Sequence, residues 1–277
     1  MSKVTIVSAL FDIERVDGRP WEEYLRWFDV FLQLKTPMIL FVSKEVEEFL
    51  TSKREGMGGS PLDKRDGIPT EIVVQNVDQI PYYDLKDQIQ EILDTDEYKE
   101  NISDPDRIEC KQSMYSVIQY SKFPWLRDAA AENPFNSDYF FWLDAGGSRF
   151  FGIYDLKKEY PSKEAVKSLE EMGESFLVQM NTEYYPDLSD AKELDLDYLY
   201  DNRSYVLGSM FGGHKNAVPK VCDMVEDIFL NEMIKKGNVN NEQIALGYLI
   251  KKYPDEFATY ERTNGKHMAL FEELACE

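Results

Sequence analysis

Four short runs of apolar and β-branched residues, separated by stretches with helical spacing, constrain the first half of this chain more than anything else in it. They are Val4–Leu10 (VTIVSAL), Met38–Val42 (MILFV), residues 71–75 (EIVVQ) and Tyr139–Leu143 (YFFWL). A strand that is apolar on nearly every residue must be covered on both faces, which is how parallel sheets between layers of helices are built. The intervening sequence supplies those helices. Residues 20–34 carry acids in the first turn and an aromatic face, and residues 44–54, an acidic region over 83–100, and two stretches over 111–120 and from Phe123-Pro124 to 131 follow. Residues 56–67, rich in Gly and Ser, read as a loop. The expected class is α/β, with a mostly parallel, Rossmann-like sheet flanked by helices.

The second half is less regular. A strand is expected over 175–180 and another over 205–210, the latter ending in Phe211-Gly-Gly-His214. Helices over 217–235 and 241–252 and a strand at Phe257–Glu261 complete it. No linker divides the 277 residues cleanly, so one domain is expected, with a first half of about 1–150 and a second of about 151–277. Against 52 acidic residues stand 31 Lys and Arg, a net charge of −21, which repels a nucleic-acid backbone. Small anions remain possible ligands, because a few local cations outweigh a distant surface charge. Cys110, Cys222 and Cys276 are odd in number and far apart, which fits a reducing compartment. The opening apolar run is too short for a signal peptide or a membrane span, and no later run approaches 18 apolar residues. A cytoplasmic protein with no integral membrane segment is expected.

In open parallel sheets, ligands sit beyond the carboxyl ends of the strands. The informative residues are therefore those that follow each run. Asp144 closes the aromatic run YFFWL and precedes Ala145-Gly146-Gly147. A carboxylate there suits a cation bridging phosphates, and it equally suits a simple turn cap. Gly212-Gly213-His214 ends a strand with no side chains to block a close approach, although an ordinary turn would look the same. Glu242 follows Asn241, a good N-cap, so the carboxylate lies in a first helical turn; it is either a general base facing a cleft or a capping acid. His267, next to Lys266 in a polar turn, could fold over a pyrophosphate or be exposed. Lys122, just before Phe123-Pro124 at an expected helix start, and Arg15, just past the first strand, are candidate anion contacts. There is no GxSxG, Walker loop or HExxH.

Four stretches together carry a resemblance. Thr5-Ile-Val-Ser-Ala-Leu-Phe-Asp-Ile-Glu-Arg15, Tyr139-Phe-Phe-Trp-Leu-Asp-Ala-Gly-Gly-Ser-Arg-Phe150, Gly208-Ser-Met-Phe-Gly-Gly-His214 and Asn241-Glu-Gln-Ile-Ala-Leu246 resemble the HtrL/YibB/WlaTC group of glycosyltransferase-like proteins. The resemblance implies a GT-A-like domain whose first half binds a nucleotide and whose second half faces the acceptor and the donor sugar. It implies a nucleoside-diphosphate sugar, expected to be UDP-linked, as donor, a glycan, glycolipid or glycoprotein acceptor, and Mn2+ or Mg2+. On that basis Phe11, Asp12 and Arg15 would lie in the loop that holds base and ribose, Ala9 would bind the donor beside them, and Lys122 would contact the nucleotide. Asp144 would be the first acid of an Asp-x-Asp metal motif, with Ala145 between and Gly146 in place of the second acid. His267 would complete the metal, Lys266 would meet a phosphate, and Gly212, Gly213 and His214 would flank the donor sugar. Glu242 would be the base of an inverting transfer.

The expected function is therefore transfer of a sugar to an acceptor hydroxyl. A nucleotidyltransferase is the less apt enzyme, since no basic glycine-rich loop follows the first strand. The alternative outside enzymology is a nucleotide-sugar binder or acidic interaction protein with a degenerate metal motif, kept open by Gly146.

Overall fold

The computed structural model describes residues 3–55, 68–152, 154–182, 193–201, 204–261 and 268–275. One seven-stranded sheet runs through both halves of the sequence. Its strands are β1 (Val4–Leu10), β2 (Met38–Val42), β3 (Thr70–Val74), β4 (Tyr139–Leu143), β5 (Phe176–Met180), β6 (Val206–His214) and β7 (Phe257–Glu261). Their order across the sheet is β3-β2-β1-β4-β6-β5-β7. Among these, β6 runs antiparallel to both its neighbours and the other pairings are parallel. The class is thus a mixed α/β fold with a mostly parallel sheet between helices.

The chain moves outward from β1 to β2 and β3, then returns to place β4 on the other flank of β1. That reversal opens a crevice at the carboxyl ends of β1 and β4, the position where open α/β sheets bind ligands. Side chains alternate across the sheet and feed two cores. Val7, Phe140, Trp142 and Phe211 face one core, and Val4, Ile6, Phe141, Leu143 and Met210 face the other. The first core is closed by α3 (Lys86–Asp94), α5 (Ser113–Glu132), α8 (Ala217–Asp227) and α9 (Glu242–Lys252); α4 (Asp96–Asn101) and the short α7 (Leu196–Leu199) lie between them in the chain. The second core is closed by α1 (Trp21–Phe31), α2 (Lys44–Glu55), α6 (Lys163–Met172) and α10 (Ala269–Ala275). Among the described residues no helix is long and apolar enough to cross a membrane.

Three local readings change. The acidic region over 83–100 divides at Thr95, whose hydroxyl caps α4 by accepting from the Tyr98 backbone N–H. The two stretches expected on either side of residues 121–122 are one helix, α5, which continues through Pro124. An interior proline costs about 3 kcal/mol through its missing donor and ring clash. Burial of Phe123, Trp125 and Leu126 against the first core outweighs that cost. Lys122 therefore sits inside a helix, not at a helix start.

The third change concerns Gly212-Gly213-His214, which belongs to β6 and not to a turn. Because β6 is antiparallel, His214 pairs with Tyr139 at the beginning of β4, the end of the sheet opposite Asp144. The glycines do permit a close approach, but the approaching group is neighbouring backbone. A Cβ at Gly212 (φ +152°) would lie 2.1 Å from the Phe140 carbonyl oxygen, and one at Gly213 (φ +159°) 2.2 Å from that of Ser175. Gly212→Ala should lower the unfolding free energy by about 3 kcal/mol, the combined effect of a clash with immovable backbone and an unfavourable φ. A shift of the urea midpoint smaller than that of an alanine at the open Gly152 would contradict this packing.

Candidate active site

Strand periodicity places Trp142 and Asp144 on the same side of β4, and the indole Nε1–H donates to Asp144 Oδ1 at 2.7 Å. Trp142 is fixed in turn by a stack of rings. Trp125 lies 6.0 Å from it and nearly parallel, with Phe11 and Phe41 each 5.6 Å from Trp125. The Lys122 ammonium reaches the same carboxylate from α5, with Nζ 3.1 Å from Asp144 Oδ1. It also donates to Glu242 Oε1 at 2.9 Å and to the Gly208 carbonyl at 3.0 Å. Gly208 is needed there, since a Cβ would meet Glu242 Oε1 at 2.2 Å. Three elements distant in sequence thus converge on one ammonium.

The three groups differ sharply in exposure. Side-chain accessibility is 1 % for Glu242, 7 % for Lys122 and 38 % for Asp144. Burial pulls the Lys122 proton affinity down, but Asp144 and Glu242 more than offset it and the ammonium is held firmly. One ammonium cannot neutralise two carboxylates. Burial, reinforced by the charge of Asp144, therefore pushes the Glu242 carboxyl above the usual range, with Lys122 opposing. Glu242 Oε2 and Gln243 Oε1 are buried without hydrogen-bond partners, which also favours the protonated acid.

In front of this triad a cleft with about 1020 Å³ of space opens to solvent, bordered by the loop after β1, one face of α5 and the turn after β4. Ala9, Phe11, Asp12, Arg15, Lys122, Asp144, Ala145 and Gly146 line it. So do Arg19, Tyr24, Tyr115, Gln119, Trp142 and Arg149. Gln112 ties down the loop after β1: its Nε2 donates to the Ile13 carbonyl at 2.6 Å and its Oε1 accepts from the Val16 N–H at 3.2 Å. Arg15 pairs with Asp17 and lies over the Tyr115 ring at 4.8 Å.

A family model described as "Bacterial protein of unknown function (HtrL_YibB)" matches residues 2–276. The chain belongs to the HtrL_YibB family. No curated protein sequence matches it. Among solved structures, the apo crystal structure of mouse xyloside xylosyltransferase 1 is similar over 94 % of this chain and 84 % of that one, with 8 % identity and a TM-score of 0.41.

In this HtrL_YibB chain the structure brings together Ala9, Phe11, Asp12, Arg15, Lys122, Asp144, Ala145 and Gly146. It does not bring Gly212, Gly213 or His214 to them. The His214 ring instead packs edge-on against Tyr139 at 5.4 Å, at the far end of β4. Glu242 has the expected cap, Asn241 accepting from the Gln243 N–H at 3.0 Å. It nevertheless lies behind Lys122 and does not border the cleft, so the condition for a base, a carboxylate open to the cleft, is not met. Lys266 and His267 lie outside the described residues.

Sequence reasoning passed over Tyr115, Ile118 and Gln119. With Lys122 they form an i, i+3, i+4, i+7 stripe on α5, visible only once that helix is read as continuous. Arg149, two residues beyond Gly147, was also passed over. Its guanidinium carbon lies 4.7 Å from the centre of the Trp27 ring and 4.7 Å from that of Phe150.

The Mn2+ or Mg2+ that the resemblance implies would need a set of carboxylate or imidazole donors. Among the described residues no group of three His, Cys, Asp or Glu could hold a metal ion. Asp144 already gives Oδ1 to an ammonium and an indole N–H. At Gly146, where a second acid would project, a Cβ would meet Trp27 Cε3 at 3.3 Å, with Arg149 Nη1 and Tyr24 Cδ1 both at 3.7 Å. That space holds an indole and a guanidinium, and a dication placed there would be repelled. The described residues do not fit a divalent metal site.

Proposed function

We propose that this HtrL_YibB protein is a glycosyltransferase that moves a sugar from a nucleoside-diphosphate donor, UDP-linked by expectation, to a glycan hydroxyl. The observation that carries the reading is a buried ammonium, shared by two carboxylates, of which the half-exposed one stands at the β1/β4 switch point. The ammonium and that carboxylate face a cleft lined with aromatic rings and arginines. The rings of Tyr24, Tyr115 and Trp142 offer faces on which a base or sugar stacks. As the glycosidic bond breaks, negative charge grows on the departing diphosphate, and preorganised cations stabilise it there. Lys122 is such a cation, held in place before substrate arrives. Asp144 is half-exposed and lines the cleft with only Oδ1 engaged by Trp142 and Lys122, so its other oxygen is the acceptor for the donor sugar. Glu242 acts through Lys122 as a positioning residue that fixes the ammonium.

A panel of nucleotide sugars followed by thermal shift and by release of free nucleoside diphosphate tests the reading. A ligand that binds only the folded state raises stability by about 2.7 kcal/mol at a hundred times its Kd. At least one donor should raise the melting midpoint and be consumed when an acceptor glycan is supplied. A shift without transfer or hydrolysis would favour a nucleotide-sugar binder, a reading to which the filled space at Gly146 lends weight. No shift across the panel would refute both.

A further inference from the structure

Four cationic side chains, Arg15, Arg19, Lys122 and Arg149, border the cleft against two carboxylates, Asp12 and Asp144. This local excess lies in a chain of net charge −21. Two of the cations are already engaged, Arg15 by Asp17 and Lys122 by Asp144 and Glu242. The other two side chains touch only neutral groups of the described residues, Arg19 donating to the Tyr24 hydroxyl at 3.4 Å. Among the described residues neither Arg19 nor Arg149 has an acid within ion-pair distance, and both lie over the Trp27 ring, their guanidinium carbons 5.8 and 4.7 Å from its centre. Burial and repulsion from Arg19 both lower the Arg149 proton affinity. Two like charges gathered on one indole, with no acid at ion-pair distance from either among the described residues, leave a place for an anion.

The position of this pair identifies the anion. Arg149 Nη1 lies 3.7 Å from where a Cβ on residue 146 would stand, beside Trp27 Cε3 at 3.3 Å and Tyr24 Cδ1 at 3.7 Å. Next to the position that lacks a second acid, the cleft therefore carries a guanidinium. Planar guanidinium forks bind phosphate oxygens in pairs and, unlike a carboxylate, need no metal between. The geometry points to Arg149 and Arg19 as the diphosphate clamp of this cleft, binding a nucleoside diphosphate without a divalent cation. This rests on the transferase reading and adds to it the charge that neutralises the donor.

Calorimetric titration of the full chain with UDP, GDP, ADP, CDP and dTDP, first in chelator and then in excess Mn2+, tests the clamp. At least one nucleotide should bind in chelator, and Mn2+ should change its Kd by less than about tenfold, the equivalent of one charge-assisted hydrogen bond. Arg149→Ala and Arg19→Ala should each weaken that binding by about tenfold or more, and Arg149→Lys, which keeps charge but loses the fork, should fall between. Both side chains reach solvent at the cleft mouth, so melting midpoints close to wild type are expected and serve as the folding control. Binding that requires Mn2+ and vanishes in chelator would overturn the clamp while leaving the transferase reading intact, as would unchanged affinity in both alanine variants. No binding in either condition would overturn the reading itself.

Discussion

Lys122→Met is expected to lower the unfolding free energy by about 3–5 kcal/mol, the cost of leaving a buried charge without its partner. Methionine nearly fills the volume, so the loss is electrostatic and not a cavity. Of the two carboxylates that lose the ammonium, Asp144 reaches water, while Glu242 is 1 % exposed and has a second oxygen already without a donor. The burden therefore falls on Glu242. Lys122→Met/Glu242→Gln should recover much of the loss, because the charge itself is gone, and a double-mutant cycle by urea denaturation reads the coupling. The pH dependence carries a definite sign. A carboxyl that holds its proton more tightly folded than unfolded adds stability in full below its unfolded pKa, and that contribution is lost as pH rises through the folded value. Glu242 lies on that side already, through burial first and Asp144 second, and without Lys122 the effect grows. The single variant should thus regain stability relative to the double variant as pH falls from the alkaline side toward the ordinary carboxyl range. Parallel pH profiles for the two would show that Glu242 does not carry the uncompensated charge.

The parts of this arrangement that sequence makes visible are those with a local cause. β1, β2 and β4 are apolar on successive residues and end as expected, since a strand covered on both faces has a signature no helix of that length shares. From those ends the strand-end rule finds Asp12, Arg15 and Asp144. What remains hidden depends on pairing across the chain. Lys122 and Glu242 are 120 residues apart, and no spacing announces that they touch. Pro124 conceals the helix that joins Tyr115 to Lys122, because interior proline is a stop signal that tertiary packing overrides here. The glycines of β6 read equally as a ligand-facing strand end or a turn for the same reason. Absence of a side chain marks close approach but does not say to what, and only the reversed direction of β6 assigns it to Phe140 and Ser175.

Asp144→Asn should separate function from folding more cleanly than any other change in the cleft. The amide oxygen still accepts from the Trp142 N–H and the Lys122 ammonium, so shape and first contacts persist. The triad loses one of two negative charges around a single positive one, leaving Lys122 and Glu242 as a matched pair. Repulsion from Asp144 is one of the forces that raise the Glu242 proton affinity, and its removal relaxes that carboxyl toward its ordinary range. The melting midpoint should accordingly stay at or slightly above the wild-type value. Turnover should not survive. In the proposed reaction the open oxygen of Asp144 grips donor hydroxyls as a charged acceptor, and a charged hydrogen bond contributes about 1.5–3 kcal/mol, so losing two predicts a fall of about 100-fold or more. If the bonds tighten as the sugar flattens toward its transition state, the loss appears in kcat; if they serve only binding, it appears in KM. Wild-type turnover in a correctly folded Asp144→Asn protein would remove this carboxylate from the reaction. The reacting centre would then have to be sought elsewhere in the cleft, toward Asp12 and the loop after β1.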